Sequence, residues 1–434
     1  MHAQHQPDRR FLLLQGPHGP FFRDLAALLR DAGCEVLRVG FNRGDEWAWG
    51  RAPGYIPYRG TPEAWDSFLS DLLEDQAITD LVLYGDTRAI HATAIAVASV
   101  RGVTVHVFEE GYIRPYWVTY ERGGSNGHSR LMRMDLTEMR KALAQSPEDD
   151  VPAPSGWGEM RQHILQGARY HFRVMTGNRR YPGFRPHRDL TVVQEFRLHL
   201  RRLMLMPLHR IERWMATRAV RRGGFPYHLV LLQLEHDASF RAHSSLGSMT
   251  EFIDLCLDGF ARGAPRHHHL VFKAHPLEDG RAAIAEAIRA GAERHGLKGR
   301  LHFIRGGKLA GLIDQARSAV TVNSTAAHQA LWRGIPVKIL GRAIYGKAGI
   351  VSDKPLAGFF AAPDRPDPAA YRDFRRYLLE TSQVPGGFYS AAGRQRLLRQ
   401  VVDMMLAPED PYDALAAGKA APRQQLTVVG RDRG

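Results

Sequence analysis

Cysteine is scarce in this sequence, which contains only Cys34 and Cys256 among its 434 residues. Both lie in apolar periodic segments, which argues against a disulfide framework and a cysteine-based metal site and predicts core positions for both. Long apolar runs are missing as well. Because no stretch approaches the roughly 18 apolar residues of a membrane span, the sequence does not predict a transmembrane helix.

Acidic residues are too few to balance the basic ones, with 45 Asp and Glu against 59 Lys and Arg. The formal net charge of +14 predicts an anionic partner, which could be nucleic acid, an acidic lipid surface, or a substrate that carries phosphate or carboxylate. Hydrophobic residues make up 44% of the chain and charged residues 24%, as in globular proteins. The length suits two domains of roughly 150 to 200 residues each.

The N-terminus has the basic residues of a signal peptide but not its apolar core. Basic residues precede "FLLL" (residues 11–14), a run about half as long as such a core, and a glycine turn follows directly. We interpret this run as the first strand and therefore expect a cytoplasmic protein.

Short apolar strands alternate with helical segments in two separate parts of the chain. The first part contains "FLLLQG", "CEVLRVGF", "DLVLYGD" and "VTVHVF", and the second contains "YHLVLLQLE", "HHHLVFKAHP" and "RLHFIRGG". This alternation is typical of parallel sheets covered by helices on both faces. The predicted fold is α/β, with Rossmann-type domains at residues 10–145 and 226–407. An arginine-rich helical linker or insertion is predicted at 146–225, and a disordered polar tail at 408–434.

Polar motifs follow the predicted strands at their carboxyl ends, where ligands bind in open α/β sheets. The first half carries "QGPHGPFF" (15–22), "FNRGDEW" (41–47), "YGDTR" (84–88) and "FEEGYIRP" (108–115). The second half carries "QLEHDAS" (233–239), "KAHP" (273–276), "RGG" (305–307) and "VNSTAAHQAL" (322–331). Two such domains whose strand-end loops face a cleft form the GT-B type of glycosyltransferase architecture, which we expect here.

Three carboxylates are the sharpest of these signals. Glu109, Glu110 and Asp237 end apolar strands, where small or capping residues are more common. Ser324 and Thr325 fit both an ordinary helix N-cap and a phosphate site at a helix N-terminus. Three consecutive histidines at 267–269 suggest a metal site, but side chains alternate faces along a strand. We therefore interpret them as a solvated strand start.

Taken in order, these motifs resemble those of the bacterial capsular polysaccharide synthesis and export proteins, a family of β-Kdo glycosyltransferases that build the oligo-Kdo linker joining capsule chains to a lysophospholipid. The resemblance covers roughly residues 10–400 and includes "VTYERGGSN" and "LGRAIYGKAG". A single module of this length is similar to the member that adds the first Kdo to the lipid.

The resemblance implies a CMP-Kdo donor, bound by the histidine-proline and serine/threonine motifs that sialyltransferases also use for CMP. Phosphate and carboxylate on this donor suit cationic side chains and a helix N-terminus. No acidic pair is placed to hold a metal-bound nucleotide, so we expect neither a metal nor a cofactor beyond the donor substrate. The implied donor-binding residues are Lys273, His275, Pro276, Arg305, Asn323, Ser324 and Thr325.

A β-linked donor and a β-linked product imply retention of configuration, which needs a carboxylate nucleophile and an acid/base group. Asp237 is the candidate nucleophile, although Glu235 stays open as an alternative. Glu110 is the candidate base that deprotonates the acceptor hydroxyl, with Glu109 as the alternative. The residues expected to bind acceptor or sugar are Gln15, Gly16, Asp45, Asp86, Arg88, Arg114, Thr119, Glu121 and Gln233.

The arginine-rich segment has two interpretations. It can be a helix packed on the core with solvated arginines, or a cationic amphipathic helix that docks on anionic inner-membrane lipid beside a lysophosphatidylglycerol acceptor. The second interpretation predicts a cytoplasmic protein held peripherally at the inner membrane, with other capsule synthesis or export proteins as further partners. The basic residues concerned are Arg197, Arg201, Arg202, Arg210, Arg213, Arg218, Arg221 and Arg222. The apolar residues between them are Leu200, Leu203, Met204, Leu205, Met206, Leu208, Ile211 and Trp214.

Two other functions fit the same architecture. A non-catalytic adaptor could hold capsule precursor for export without using Asp237 or Glu110, and a sugar-nucleotide epimerase would act without an acceptor. Nucleic-acid binding is weaker, because the basic residues lack a recognisable reading motif, and nucleic acid is not an expected partner.

Overall fold

The computed structural model describes residues 9–145, 160–185, 192–278 and 282–419. Contacts between residues divide the chain into two compact units. The first unit comprises Met1–Arg130, Thr137–Val192 and Arg376–Gly434, and the second comprises Leu131–Leu136 and Val193–Arg375. Each unit is built on one sheet, so the predicted α/β class with two Rossmann-like domains is confirmed.

The first unit contains a seven-stranded sheet in the order β12-β6-β5-β4-β1-β2-β3. The first five strands pair in parallel, whereas β6 is antiparallel to both β5 and β12. The strands are β1 (Arg10–Leu13), β2 (Glu35–Gly40), β3 (Tyr55–Pro57), β4 (Asp80–Tyr84), β5 (Thr104–Glu110), β6 (Trp117–Arg122) and β12 (Gln383–Pro385). The helices are α1 (Phe21–Asp31), α2 (Arg43–Trp49), α3 (Trp65–Asp75), α4 (Ala89–Val100), α5 (Leu136–Leu143), α6 (Met160–Gly177), α15 (Ala391–Leu406) and α16 (Pro411–Ala416). Short 3₁₀ helices occupy Pro62–Ala64, Asn126–His128, Arg130–Arg133 and Asn178–Arg180.

The first sheet is buried on both faces, which explains the uninterrupted apolar run in β1. Phe11 and Leu13 join a core cluster on one face, while Leu12 and Leu14 join a separate cluster on the other. Successive side chains in a strand point to opposite faces. Every side chain of this run is therefore buried in one of the two apolar clusters.

The second unit contains a five-stranded parallel sheet in the order β11-β10-β7-β8-β9. Its strands are β7 (Tyr227–Leu231), β8 (His269–Lys273), β9 (Leu301–Ile304), β10 (Ser318–Thr321) and β11 (Val337–Ile339). Its helices are α8 (Ala238–Ala242), α9 (Met249–Gly263), α10 (Ile284–Arg294), α11 (Ala310–Ile313), α12 (Ala327–Leu331) and α13 (Leu356–Ala361). A boundary between the units falls within α7 (Val192–Arg222) and within α14 (Pro368–Thr381). Another falls at the first residue of α5, because Leu136 belongs to the second unit.

The C-terminal part of the chain belongs to the first unit rather than to the second. The sequence predicted that the second domain extends to residue 407, whereas β12 pairs with β6 and Leu397 and Val401 of α15 enter the core of the first sheet. Disorder was predicted from residue 408, yet α16 forms and Tyr412 is buried. Residues 420–434 of the predicted tail lie outside the described residues.

Among the described residues, no helix combines the length and apolar character that crossing a bilayer requires.

Candidate functional site

In the first unit, five polar side chains meet beyond the carboxyl ends of β1, β2 and β4. We call Gln15, Asn42, Asp45, Arg88 and Tyr170 the Gln15 cluster. The Tyr170 hydroxyl accepts hydrogen bonds from Gln15 Nε2 (3.0 Å) and Asn42 Nδ2 (2.8 Å) and donates one to Asp45 Oδ1 (3.0 Å). Arg88 Nη1 donates to Gln15 Oε1 (2.8 Å). The structure thus brings three predicted site residues together around a tyrosine of α6.

Asp45 of this cluster is almost fully buried, with 1% of its surface exposed. Its carboxylate accepts from the Phe41 amide (3.0 Å) and pairs with the Arg38 guanidinium (3.5 Å). The neighbouring Gly16 is also buried, and a side chain there would come within 2.7 Å of the Phe22 ring. Asp45 is therefore the buried carboxylate of the cluster, with Gly16 next to it in the interior. Arg88, which is half-buried, is more accessible to a ligand than Arg38.

A second group of polar side chains lies at the ends of β4 and β5. We call Tyr84, Glu109, Glu110, His163 and Tyr389 the Glu110 cluster. The hydroxyls of Tyr84 and Tyr389 both donate to Glu110 Oε1, each at 3.3 Å. Burial, reinforced by the nearby acidic groups, raises the pKa of both phenols well above the ordinary value. Both therefore remain protonated donors that fix the orientation of the Glu110 carboxylate.

His163 of α6 and Glu109 complete the Glu110 cluster. The imidazole of His163 stacks on the Tyr389 ring with centroids 4.0 Å apart, and burial lowers its pKa against the opposing influence of Glu110. Glu109 Oε1 accepts a hydrogen bond from the Glu110 amide (3.0 Å). Its carboxylate thus supports the backbone at the end of β5, whereas the Glu110 carboxylate faces two hydroxyls.

The motif that follows Glu110 is a tight connection between antiparallel strands β5 and β6. A side chain at Gly111 would lie 2.2 Å from the carbonyl oxygen of Trp117, so only glycine fits there. Arg114 is exposed, and its Nε donates to the Gly111 carbonyl (3.3 Å). The rest of its guanidinium is available to an anion.

Thr119 and Glu121 were predicted to line an acceptor site, but the structure buries both in β6. Thr119 Oγ1 donates to the Glu110 carbonyl (3.2 Å) and accepts from Gln383 Nε2 (3.0 Å). Glu121 accepts hydrogen bonds from the hydroxyls of Tyr112, Ser129 and Tyr412. Burial raises the pKa of Glu121 to about 7. Thr119 and Glu121 are two residues apart in β6, so their side chains lie on the same face of the sheet. Both are enclosed by other residues and act as internal supports.

Asp86 is likewise buried, just after β4. Its carboxylate accepts from the Ser125 amide (2.8 Å) and lies 3.1 Å from His128 Nδ1. Asp86 therefore ties the loop at the end of β4 to the segment that follows β6.

In the second unit, Gln233 and Asn323 join the ends of β7 and β10. Gln233 Nε2 donates to Asn323 Oδ1 (2.8 Å), and the Asn323 amide donates to Gln233 Oε1 (2.9 Å). Asn323 Nδ2 also donates to the Ser239 carbonyl (2.8 Å). Both side chains are buried, and their polar groups are hydrogen-bonded to each other and to the carbonyl of Ser239, so they hold the loops in place.

The two carboxylates of "QLEHDAS" have different environments. Glu235 Oε2 accepts a hydrogen bond from the Met249 amide (2.9 Å) at the start of α9. Asp237 is exposed at the N-cap of α8, and its side chain makes no capping hydrogen bond to that helix. Glu235 is thus engaged in holding a helix, and Asp237 is presented to solvent.

Cationic and glycine residues gather at the ends of β8 and β9. Lys273 is buried, and its Nζ donates to the Ala274 carbonyl (3.1 Å). Burial, with the nearby charge of Arg213, lowers the pKa of Lys273 to about 8. Arg213 of α7 lies against Gly307, where a Cβ atom would come within 2.6 Å of its Cδ atom. Two cations of the second unit thus lie at this edge of its sheet.

The remaining predicted donor residues lie in loops beside these cations. Arg305 pairs with Glu212 of α7 (3.4 Å) and stacks over Phe303. His275 Nδ1 accepts from the Leu277 amide (3.1 Å), and a side chain at Gly306 would lie 3.4 Å from Pro276 Cα. The histidine-proline turn therefore packs directly against the glycine turn after β9.

Ser324 and Thr325 are partly exposed after β10. Ser324 Oγ accepts a hydrogen bond from the Ala326 amide (3.2 Å), and α12 begins only at Ala327 and has five residues. A helix this short has a weak macrodipole. Hydroxyls and turn amides, more than a helix dipole, are the groups that this segment offers to an anion.

The histidine run at 267–269 is solvated only at its first residue, His267, which is exposed. His268 is buried, and its Nδ1 lies 3.0 Å from Nε2 of His228. His269 Nδ1 lies 2.9 Å from His302 Nε2, and Phe225 stacks on both of these rings. These rings lie at the amino ends of β7, β8 and β9, away from the candidate site. Their nitrogens pair with one another, His228 with His268 and His269 with His302.

Sequence reasoning did not name five members of the two clusters in the first unit. Two of them, Asn42 and Tyr84, lie within the strand-end motifs, but the other three do not. Tyr170 and His163 belong to α6, in the segment interpreted only as a linker, and Tyr389 lies 279 residues after Glu110. No local motif marks any of them. Their role follows from the packing of α6 against α2 and from the return of the chain to the first sheet.

Comparison with known proteins identifies relatives over most of the chain. The model of the capsule polysaccharide biosynthesis protein family matches residues 79–389. The capsule polysaccharide export protein KpsS of Escherichia coli is 31% identical over 385 residues, which cover 88% of this chain and 97% of the relative. The capsule polysaccharide modification protein LipB of Neisseria meningitidis serogroup B is 30% identical over 385 residues, covering 87% and 91%.

Solved structures give more distant likenesses. KpsC of Thermosulfurimonas dismutans, a beta Kdo 2,7 transferase, is 14% identical with a TM-score of 0.43, covering 92% of this chain and 100% of its own. HepE of Anabaena, in complex with UDP and glucose, is 11% identical with a TM-score of 0.35, covering 92% and 99%. At such scores a likeness in structure does not assign a function.

Proposed function

Because the chain belongs to the capsule polysaccharide biosynthesis protein family, we propose that it is a retaining β-Kdo glycosyltransferase that transfers Kdo from CMP-β-Kdo to a lysophospholipid of the lysophosphatidylglycerol type. Donor and acceptor follow from the resemblance of its strand-end motifs. The observation that carries the reaction type is the exposed carboxylate of Asp237 in the loop between β7 and α8, two residues after a Glu235 that is engaged at α9.

The donor side of the proposal uses the second unit. CMP-Kdo carries a phosphate and a carboxylate, and Lys273 and Arg305 supply cations at the carboxyl ends of β8 and β9. His275 contacts the cytidine phosphate, and the hydroxyls of Ser324 and Thr325 donate to it. Charge-assisted hydrogen bonds of this kind are short and strong. They also stabilise CMP as the leaving group, so no metal is required in this mechanism.

Two displacements account for retention. In the first, an Asp237 carboxylate oxygen bonds to the anomeric carbon of Kdo while the bond from that carbon to the phosphate oxygen breaks, and CMP leaves with the electron pair. In the second, the acceptor oxygen bonds to the same carbon, the bond to Asp237 breaks, and the carboxylate is regenerated. Each displacement inverts the carbon, so together they retain its configuration.

The second displacement needs a base that removes the proton of the acceptor hydroxyl. Glu110 is the better candidate of the two adjacent glutamates, because Glu109 bonds the backbone whereas Glu110 presents its carboxylate beside Tyr84 and Tyr389. Two phenolic donors on one oxygen hold the carboxylate in a single orientation. In this proposal, Arg88 and the exposed Arg114 of the same unit bind an acidic group of the acceptor.

The proposal places the protein peripherally at the inner membrane, through α7. Apolar side chains at the spacing of one helix face are exposed, with Met204 and Trp214 exposed by 67% and 61%. Leu208, Ile211 and Met215 continue this stripe, and Arg218 stacks over Trp214 at 5.3 Å. An apolar stripe beside arginines suits an anionic lipid surface. Side chains 192–196, 199–203 and 206 of α7 lie outside the described part of the chain.

The test is a transfer assay with a generating system for CMP-Kdo and a fluorescent lysophosphatidylglycerol analogue, followed by mass spectrometry. The proposal expects an acceptor mass increase of one Kdo in the wild type and none with Asp237→Asn. CMP release that depends on Kdo but not on acceptor would favour hydrolysis of the donor. An altered donor sugar that still carries CMP, formed without acceptor, would favour an epimerase. Intact CMP binding without any transfer would favour an adaptor.

A further inference from the structure

Helix α6 carries an exposed apolar stripe on the first unit. Ile164, Leu165, Phe172 and Met175 are exposed by 64%, 47%, 56% and 44%, and Ala168 is exposed between them. At 100° per residue these five positions fall within about one third of the helix circumference. Of the fourteen large apolar side chains that are exposed among the described residues, nine lie on α6 and α7. Exposed apolar side chains scattered singly are ordinary, but a contiguous stripe indicates a partner.

The charged residues of α6 and of the segment that follows it to residue 185 are all basic. Residues 160–185 contain six arginines and no aspartate, glutamate or lysine. Arg169 and Arg173 are exposed along one side of the stripe, and Arg161 is exposed at its N-terminal end. An arginine can bury its aliphatic stem beside apolar groups while its guanidinium reaches a phosphate. The partner that this combination fits is an anionic lipid surface.

The opposite face of α6 forms part of the candidate site. Tyr170 is the central hydroxyl of the Gln15 cluster, and His163 stacks on Tyr389 beside Glu110. One helix therefore has its apolar stripe toward solvent and its polar contacts toward both clusters.

We propose that α6 is a second membrane-docking helix, which lies in the headgroup region of an anionic bilayer and holds the Gln15 and Glu110 clusters next to it. The docking surface consists of Ile164, Leu165, Phe172 and Met175 with Arg169 and Arg173. This inference deepens the proposed function, because it brings the acceptor side of the first unit to the surface where a lysophospholipid resides. Docking itself does not depend on the reaction.

Vesicle binding by the full chain tests the surface. The vesicles are phosphatidylcholine alone and phosphatidylcholine mixed with phosphatidylglycerol, in a flotation assay without other proteins. Ile164→Gln with Phe172→Gln is expected to weaken binding to the anionic vesicles by about tenfold or more, and Arg169→Gln with Arg173→Gln by a similar factor because each basic residue near such a surface contributes measurably. Val100→Gln is the matched control, since Val100 of α4 is 83% exposed on the same unit and lies outside the stripe. Binding of both double variants at the wild-type level would overturn the proposal.

A labelling experiment gives a second readout that does not require loss of binding. Both native cysteines are buried, so a single cysteine at Phe172 can be labelled selectively with an environment-sensitive fluorophore. Addition of anionic vesicles is expected to shift the emission of Phe172→Cys to the blue and to leave that of Val100→Cys unchanged. An unshifted label at residue 172 on vesicle-bound protein would show that α7 or another surface does the docking.

The proposed reaction and the docking inference can be disproved independently of each other. Asp237→Asn is expected to bind anionic vesicles like the wild type while transferring nothing. If the wild type binds vesicles through α6 but transfers no Kdo, the docking inference stands and the proposed function falls. If transfer proceeds while the α6 variants bind vesicles like the wild type, the proposed function stands and the docking inference falls.

Discussion

The carboxylate of Glu235 accepts a hydrogen bond from the amide of Met249 at 2.9 Å. This contact satisfies one of the amides that the first turn of α9 leaves without a partner. The Ser248 hydroxyl satisfies another by accepting a hydrogen bond from the Glu251 amide. A carboxylate with this role would leave a helix end uncapped if it moved to attack a sugar. The relationship therefore argues against Glu235, which the sequence left open as an alternative to Asp237.

Substitution of the two carboxylates is expected to have different consequences. Asp237→Asn removes the nucleophile and is expected to lower kcat by about a thousandfold or more. Glu235→Gln keeps an oxygen for Met249 and is expected to change kcat by less than about tenfold, with a small loss of thermal stability. Steady-state transfer kinetics and thermal melts of both variants test this pair. An inactive Glu235→Gln beside an active Asp237→Asn would reverse the assignment.

Removal of the hydroxyls that orient Glu110 is expected to slow transfer without weakening the binding of CMP. Tyr389→Phe is expected to lower kcat by about tenfold, and Tyr389→Phe with Tyr84→Phe by more, because a general base contributes about a hundredfold to ten-thousandfold in total. The KM of the CMP donor is expected to stay close to the wild-type value. Kinetics at varied donor and acceptor concentrations measure this split, with Tyr58→Phe as a control tyrosine of the same unit that lies outside both clusters. A change in donor KM alone would argue against the assigned role.

The pKa of Lys273, about 8, gives the donor affinity a pH dependence. The side chain is a cation below this value and loses its charge as the pH rises through it, so KM for CMP-Kdo is expected to increase above pH 8. Lys273→Met is expected to raise KM by about tenfold to a hundredfold at pH 7, as when a hydrogen bond to a charged group is lost. Donor titrations between pH 7 and pH 9 would show a steep rise for the wild type and a flat, high KM for Lys273→Met. A wild-type KM without pH dependence would contradict the role.

The histidine network of the second sheet is expected to make folding acid-sensitive. Burial lowers the pKa of His228 to about 3 and of His268 and His302 to about 4, whereas these groups titrate near 6.5 in the unfolded chain. Below pH 6.5 the unfolded chain binds protons that the folded chain does not. Stability is therefore complete above about pH 6.5 and is lost as the pH falls from there toward 4.

Urea denaturation at pH 7.5 and pH 5 measures this loss. His302→Phe removes one titrating group and keeps an aromatic ring beside Phe225, so the fall in the denaturation midpoint between the two pH values is expected to be smaller than in the wild type. An exposed histidine supplies the control, since His267→Phe is expected to leave the fall unchanged. An equal fall in all three proteins would place the acid sensitivity elsewhere.

Periodicity and turn chemistry predicted the fold class and the positions of most strand ends. The β1 run, the strands before Asp86 and Glu110, and the strands before Lys273 and Asn323 all form where alternation of strand and helix placed them. The resemblance to capsule proteins is confirmed by the family match. These features are local, because each depends on a few consecutive residues.

Non-local contacts account for what the sequence did not predict. Periodicity cannot tell that β12 joins β6 across more than 250 residues, nor that Tyr389 donates to Glu110. Thr119 and Glu121 lie two residues apart in a strand, a spacing that fits an accessible face as well as a buried one. They are buried because Gln383 and Tyr412, from the far end of the chain, contact them. Sequence also cannot show that Glu235 caps α9 while Asp237 stays exposed, since both are acidic residues of one loop.

The pairing of β12 with β6 has a consequence for synthesis on the ribosome. Strand β6 and the apolar face of the first sheet are translated early, but β12 and the core residues Leu397 and Val401 emerge more than 250 residues later. The second unit, whose residues 193–375 are nearly contiguous, is complete before them. The nascent chain therefore finishes its second unit first, and an unpaired strand edge of the first must be kept from other chains until residues 383–401 arrive.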